Sequence, residues 1–591
     1  MLRIMKYLSK GEVAQMLVAL VTIVGQVFFD LKLPDYMSDI TTLVETPGSE
    51  MSDIWIAGGK MLLVSLGSVA CAVVTGFIAA RVAASFGQRL RSLEFRKVES
   101  FGPAEMSRFS TASLITRSTN DITQIQMFIT MGLQMIVKSP IMAVWAIMKI
   151  AGDGFEWTLA TAIAVVVLLV AIVVLMAMVM PKFKAMQTLI DNINLVAREN
   201  LTGLRVVRAY NAEDYQESKF TKANADLTET QLFTNRAMAV MMPLMNTVMN
   251  GLMLVVYWIG AYLIDAAALT DKLTVFSNMV VFSSYSVQVI MSFLLMSMVF
   301  VLWPRADVSA QRVMEVLDTD PLVKDGPGVS RETADVPRGE VEFRDVSFTY
   351  PDSREPMLEH VSFKATRGQT VAFIGSTGSG KSTLVNLVPR FHDATEGQVL
   401  VDGVDVREYT LRELRDKIGY VPQKSVLFKG TVAGNIAYGD EPGGRTAGDD
   451  MSRIREAADV AQATEFVERM DGGFDAPIAQ GGSNVSGGQK QRLSIARAVH
   501  RDPEILVFDD SFSALDFRTD REVRDALAEY AKDATKLIVA QRIGTIMNAD
   551  LIVVLDDGRV VGEGTHKELL ATCDVYRQIA ESQLSASELA A

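Results

Sequence analysis

Cysteine and histidine are scarce. Cys71 and Cys573 stand far apart, and only four histidines accompany them in 591 residues. A disulfide framework and a Cys/His metal cluster are therefore excluded as organising features. Basic residues are also outnumbered, 57 Lys and Arg against 70 Asp and Glu, for a net charge of −13. No basic field exists to neutralise a phosphate backbone, which argues against a nucleic-acid partner. The N-terminus lacks the small-residue cleavage pattern of a secretory leader and reads as retained. The most informative shortage is of charge itself. Val13–Phe29, Met61–Ala80, Trp157–Pro181, Ala237–Ile264 and Leu273–Pro304 contain no Asp, Glu, Lys or Arg.

About 20 apolar residues span the hydrocarbon as a helix, so four of these runs qualify outright and the first is slightly short. A weaker run, Ile122–Val137 with Ser139–Met148, is interrupted by Lys138 and brings the expected total to six spans. The segment Asp153–Glu156 then reads as a tight turn into the helix at Trp157. The loop Asp30–Asp53 holds six acids and one lysine, whereas Arg81, Arg89, Arg91, Arg96 and Lys97 follow the second span. Positive charge stays inside, which puts the N-terminus in the cytoplasm and the acidic loop outside. That loop is either a lid or simply solvated. Met1–Glu12 reads as an amphipathic segment on the inner face. Arg81–Asp121 and Lys182–Arg236 are too long for membrane loops and read as helices extending well into the cytoplasm.

Polar groups inside the spans keep two readings. Lys138 either contacts an anionic substrate or, being placed near the inner surface, snorkels to headgroups. Asn246, Asn250, Asn278 and Gln288 read mainly as hydrogen-bonding glue between helices. Met241, Met242, Met245, Met249, Met291, Met296 and Met298 either line an adaptable cavity or pack ordinarily.

The chain is too long for one core and suggests three or four folding units. Asp318–Arg338, rich in Asp, Pro, Gly and Arg without a sustained period, marks a linker. It separates an expected all-α membrane domain at 1–317 from a soluble domain at 339–591. Within the latter, the apolar strand Thr370–Ile374 runs into Gly375, Ser376, Thr377, Gly378, Ser379, Gly380, Lys381, Ser382 and Thr383, then a helix. This is the G-x-x-x-x-G-K-S phosphate loop. Glycines let successive backbone N–H groups converge on phosphates at a helix N-terminus. Lys381 supplies a point charge, and Ser382 offers a hydroxyl to Mg²⁺. The stretch binds a nucleoside triphosphate. Ile505–Phe508 reads as a buried parallel strand whose terminal Asp509 is placed to hold Mg²⁺. Between these motifs, Ser486, Gly487, Gly488 and Gln489 open a helix that runs to His500 and form another anion nest. A chain with two such motifs and only one lysine suggests that the second serves another subunit's nucleotide. Tyr350, 25 positions before Gly375, either stacks on an adenine or is an ordinary aromatic at a strand end.

Gly375–Thr383, Val485–Gln489, Ile505–Asp509 and Ser513-Ala-Leu-Asp516, in that order, resemble the ATPase domain of ATP-binding cassette proteins. With six spans ahead of it, the chain is similar to a half-transporter of the multidrug-exporter type. The resemblance implies an α/β P-loop ATPase domain, ATP and Mg²⁺ as cofactors, and a dimer that sandwiches nucleotide between one Walker A loop and the other subunit's signature. It implies that Gln423 reaches the metal and the attacking water. Glu199–Asn211 would be the second coupling segment, docking on the partner, and Thr111–Asn120 would hold the first. Opening and closing of the sandwich would move an apolar or amphipathic substrate outward across a bacterial inner membrane.

Two positions lack what that family normally has. Asp510 stands where a glutamate polarises the attacking water, and Gln541 where a histidine contacts the γ-phosphate. More mildly, Gln480 replaces a frequent glutamate. A shorter carboxylate retracts by about one bond length, and misplacement of about 1 Å can cost about a hundredfold in rate. Glutamine cannot carry the charge of an imidazolium. The signature, by contrast, is intact. The expectation is a heterodimer subunit whose own catalytic positions, Asp510 and Gln541, are degenerate, while its signature completes the partner's site. The alternatives are a homodimeric exporter with two weakly active sites, or a membrane-bound regulatory subunit that binds ATP without transport.

Overall fold

The uncharged runs are parts of much longer helices. The computed structural model describes residues 1–46, 48–151, 155–268, 271–329, 338–439 and 450–584. Among these, six helices are long and apolar enough to cross a membrane: Lys10–Glu45, Met51–Glu99, Thr111–Ile150, Phe155–Thr202, Glu213–Ala266 and Lys272–Met296, here spans one to six. The fifth has 54 residues, about 80 Å at 1.5 Å per residue, against a hydrocarbon core of about 30 Å. Its charged end must therefore project into water. Val166, Val167, Val170, Val173 and Val174 of span four are exposed, as a surface meant for lipid tails requires. Spans five and six cross closely at Gly260, where a Cβ would lie 2.3 Å from the Met279 sulfur. The expected turn at Asp153–Glu156 falls partly outside the described residues.

Two sequence expectations change here. Met1–Glu12 is not one amphipathic segment: Leu2–Tyr7 is a short 3-10 helix, and span one already begins at Lys10, capped by Ser9. Glu12 is buried, accepting from Ser85 Oγ at 2.6 Å and lying 3.4 Å from Arg89. Lys138 neither snorkels nor lies near the inner surface. It sits well along span three and pairs with Asp30 at 3.2 Å, because burial favours a neutralising partner. Contacts group Thr111–Asn120 with the first unit and Ser100–Ser110 with the second.

Contacts divide the chain into two units, Met1–Glu99 with Thr111–Thr319, and Ser100–Ser110 with Asp320–Ala591. Two compact units thus stand where three or four folding units were expected. Glu105 explains why Ser100–Ser110 joins the second unit. Its carboxylate accepts from Gly102 N at 2.7 Å and from Leu322 N at 2.8 Å. The start of the expected linker is likewise fixed, with Gly326 N donating to Tyr409 O at 3.0 Å. Residues 330–337 of it lie outside the described residues.

The second unit is built on a six-stranded sheet. Its spatial order is Arg559–Gly564, Leu551–Asp556, Thr370–Gly375, Thr535–Val539, Ile505–Asp509 and Ile418–Val421. The last five are mutually parallel, and Arg559–Gly564 is the antiparallel edge. The central strands are buried on both faces, which is why they read as unbroken apolar runs. Phe373 and Phe508 are fully buried, each stabilising the fold by roughly 2–3 kcal/mol. A second, antiparallel sheet contains Leu358–Ala365, Val341–Phe348 and Glu396–Val401. Its strand ends at Phe348, just before Tyr350.

Candidate nucleotide site

Parallel strands point their C-terminal ends the same way, so whatever follows each strand converges. Strand Thr370–Gly375 delivers the phosphate loop, Ile505–Asp509 delivers Asp509 and Asp510, Ile418–Val421 delivers Gln423, and Thr535–Val539 delivers Gln541. The register pairs Val539 with Asp509 and Val421 with Phe508. Residues more than a hundred positions apart thus meet in one cluster.

Two of the loop's glycines are sterically required. A Cβ on Gly375 would lie 1.9 Å from Leu555 O, and Gly380, at φ +89°, would put one 2.9 Å from Met357 O. Lys381 opens the following helix and folds over the loop, donating to Gly375 O at 2.9 Å and Ser376 O at 2.6 Å. Burial pulls its pKa down, opposed by Asp510 and Asp509. Ser382 Oγ donates to Asp509 Oδ1 at 2.7 Å. Ser376, Thr377 and Gly378 are exposed, whereas Ser379 and Thr383 are buried. Tyr350 donates to or accepts from Thr383 Oγ1 at 2.9 Å, and its ring meets Phe348 and His392 edge-on. Nothing in the sequence foretold this link, because it depends on the second sheet lying beside the loop.

Asp510 is the meeting point. Gln541 Nε2 donates to its Oδ2 at 2.8 Å and Gln423 Nε2 at 3.3 Å. Its backbone takes φ +48°, a left-handed conformation that Asp tolerates better than longer side chains. Burial raises the pKa of both aspartates. The Gln423 and Gln541 amides oppose the rise at Asp510, and Ser382 opposes it at Asp509.

The signature residues are placed differently. Ser486 caps helix Gly487–His500 and forms a capping box with Gln489, Ser486 N donating to Gln489 Oε1 at 2.9 Å. Ser486 and Gly487 are exposed, and Gly488 is half-buried. Lys490 donates to Gly481 O at 2.9 Å and anchors the turn beside Gln480. Helix Gly487–His500, 14 residues long, thus presents an exposed N-terminus of the kind that suits an anion. The 3-10 turn Gln480–Gly482 and the Asp516 cap of helix Phe517–Tyr530 flank it in the chain.

Six membrane-length helices followed by a phosphate-loop ATPase unit define a membrane transport ATPase of half-transporter plan. The family described as ABC transporter transmembrane region matches residues 10–293, and that described as ABC transporter matches 358–513. An uncharacterized ABC transporter ATP-binding protein of Mycobacterium tuberculosis is 41% identical over 526 residues, covering 89% of this chain and 88% of that one. The ATP-dependent lipid A-core flippase of Pseudomonas aeruginosa is 33% identical, covering 85% and 81%. A solved bacterial Atm1-family ABC exporter with ATP bound has a TM-score of 0.77 at 25% identity, covering 97% of this chain and 98% of that chain. The chain belongs to the ABC transporter family, as an exporter half-transporter with a six-span membrane domain and an ABC ATPase domain. Its ATPase is coupled to transport. Half-transporters of this family dimerise in the membrane.

Proposed function

We propose that this chain is one subunit of a heterodimeric exporter that moves apolar or amphipathic substrates outward from a bacterial inner membrane. Its own pocket binds ATP and cleaves it poorly, while Ser486, Gly487, Gly488 and Gln489 complete the partner's competent site. The relatives named lipid A-core flippases support an amphipathic substrate. The residues present fit the nucleotide: a glycine cradle that a Cβ would fill, Lys381, and a hydroxyl–carboxylate pair in Ser382 and Asp509. Ser382, Gln423 and Asp509 would hold Mg²⁺, which neutralises phosphate charge.

The observation that carries the reading is the double amide grip on Asp510. Both glutamines donate to the same oxygen, so the carboxylate is occupied and held back at a short side chain's reach. Neither amide can take a proton or carry charge as an imidazole does. The groups used on this chain's own ATP are altered, whereas the exposed signature lent across is intact. Site-resolved hydrolysis in the purified assembly tests this. Cleavage confined to the partner's Walker site supports unequal pockets, and equal cleavage at both rejects them.

A further inference from the structure

A proline in span one creates a polar seam that the nucleotide site does not use. Pro34 lacks the N–H that would bond to the carbonyl of Asp30, four residues earlier. Gln288 of span six fills that gap, its Nε2 lying 3.4 Å from Asp30 O. One turn on, Tyr285 of span six lies 2.9 Å from Leu31 O and 2.6 Å from Asp35 Oδ1. The side chains flanking the proline add charge. Asp30 pairs with Lys138 of span three at 3.2 Å and accepts from Ser68 of span two. Asp35 pairs with Lys149 of span three at 3.0 Å and with Lys32 at 3.2 Å. Further out, Ser38 touches Ser277 of span six.

Position in the chain fixes which end this is. Span one starts at the cytoplasmic Lys10, and span three ends at Ile150, one residue past Lys149. The seam therefore lies in the outward half of the membrane domain. Its charged side chains are about a fifth to two-fifths exposed. A fully buried pair is strongly destabilising to break, but a partly hydrated one can part and be resolvated. The missing backbone bond at Pro34 also lets span one bend there.

We propose that Asp30 and Asp35 make span one the moving jaw of an outer gate. Paired with Lys138, Lys149 and Tyr285, they hold it shut against spans three and six, and these pairs part when substrate leaves. They are positioning residues for transport and do not contact nucleotide.

Ser277, buried beneath span one, reports the gate. The test uses the purified full-length assembly in lipid nanodiscs, with Cys71→Ala, Cys573→Ala and Ser277→Cys in this chain, and a membrane-impermeant maleimide. Without nucleotide the cysteine is protected, and ATP with vanadate exposes it. Asp35→Asn or Lys149→Gln raises the nucleotide-free labelling rate about fivefold, toward but not beyond the ATP-bound rate. The charge-exchanged pair Asp35→Lys with Lys149→Asp restores protection. Unchanged rates in the single variants, or an exchanged pair no better than they are, would overturn the gate. Should Asp35→Asn fail to fold, Tyr285→Phe must still raise labelling, and its failure to do so overturns the proposal equally.

Discussion

Gln541 Nε2 donates to Asp510 Oδ2 over 2.8 Å, so the two residues proposed as degenerate catalytic positions hold each other. They form one coupled arrangement. A change at either leaves the other's partner altered, and paired sites of this kind are non-additive.

Replacing one alone should therefore recover little. Asp510→Glu extends the carboxylate, but it places Glu at φ +48° and leaves an amide opposite. We expect ATP turnover at this chain's own site to rise by less than about threefold, against about a hundredfold when Gln541→His is added. Single-turnover hydrolysis of radiolabelled ATP distinguishes the cases. Full recovery from Asp510→Glu alone would contradict the coupling.

Nucleotide binding rests on other groups. Lys381→Ala removes the charge over the loop while leaving the glycine cradle in place, so ATP affinity at this pocket should fall at least about tenfold. Equilibrium binding of a fluorescent ATP analogue measures it. The Asp510→Asn protein, by contrast, should keep binding within about threefold.

Damage to the signature should act at a distance. Gly487→Asp puts a carboxylate at the exposed N-terminus of helix Gly487–His500, where an anion is expected. Hydrolysis at the partner's site should drop about a hundredfold, with ATP binding at this chain's own pocket unchanged. Photocrosslinking with azido-ATP, read separately for each subunit, reports both.

Burial raises the pKa of Asp509 and Asp510 above the ordinary 3.8. The folded unit then holds protons that the unfolded chain has released, so their contribution to stability falls as pH rises from the ordinary value through the raised ones. Asp510→Asn abolishes its share. The unfolding midpoint of the full chain should decline less steeply as pH rises above about 4 in that variant than in the unaltered protein.

Much of the site was legible because its motifs are local. The phosphate loop needs only glycine spacing, and the strand Ile505–Asp509 announces itself as an apolar run ending in acid. The membrane helices were legible from missing charge, although their true ends were not, since charged turns continue the same helices. The contacts that depend on strand or helix order were hidden. Gln423, Asp510 and Gln541 meet only because three parallel strands are neighbours. Lys138 was misplaced because its partner Asp30 sits two spans earlier. A proline flanked by two aspartates in span one was the available signal. Glu105, which binds Ser100–Ser110 to the ATPase unit through Leu322, left no pattern at all.

The most direct measurement is the fate of ATP bound to this chain when it is purified and reconstituted without a companion. The account predicts that nucleotide is retained uncleaved over many minutes, and that co-assembly with the partner half-transporter restores hydrolysis at the partner's Walker site only. Sustained turnover by this chain alone, at two equivalent pockets, would contradict it.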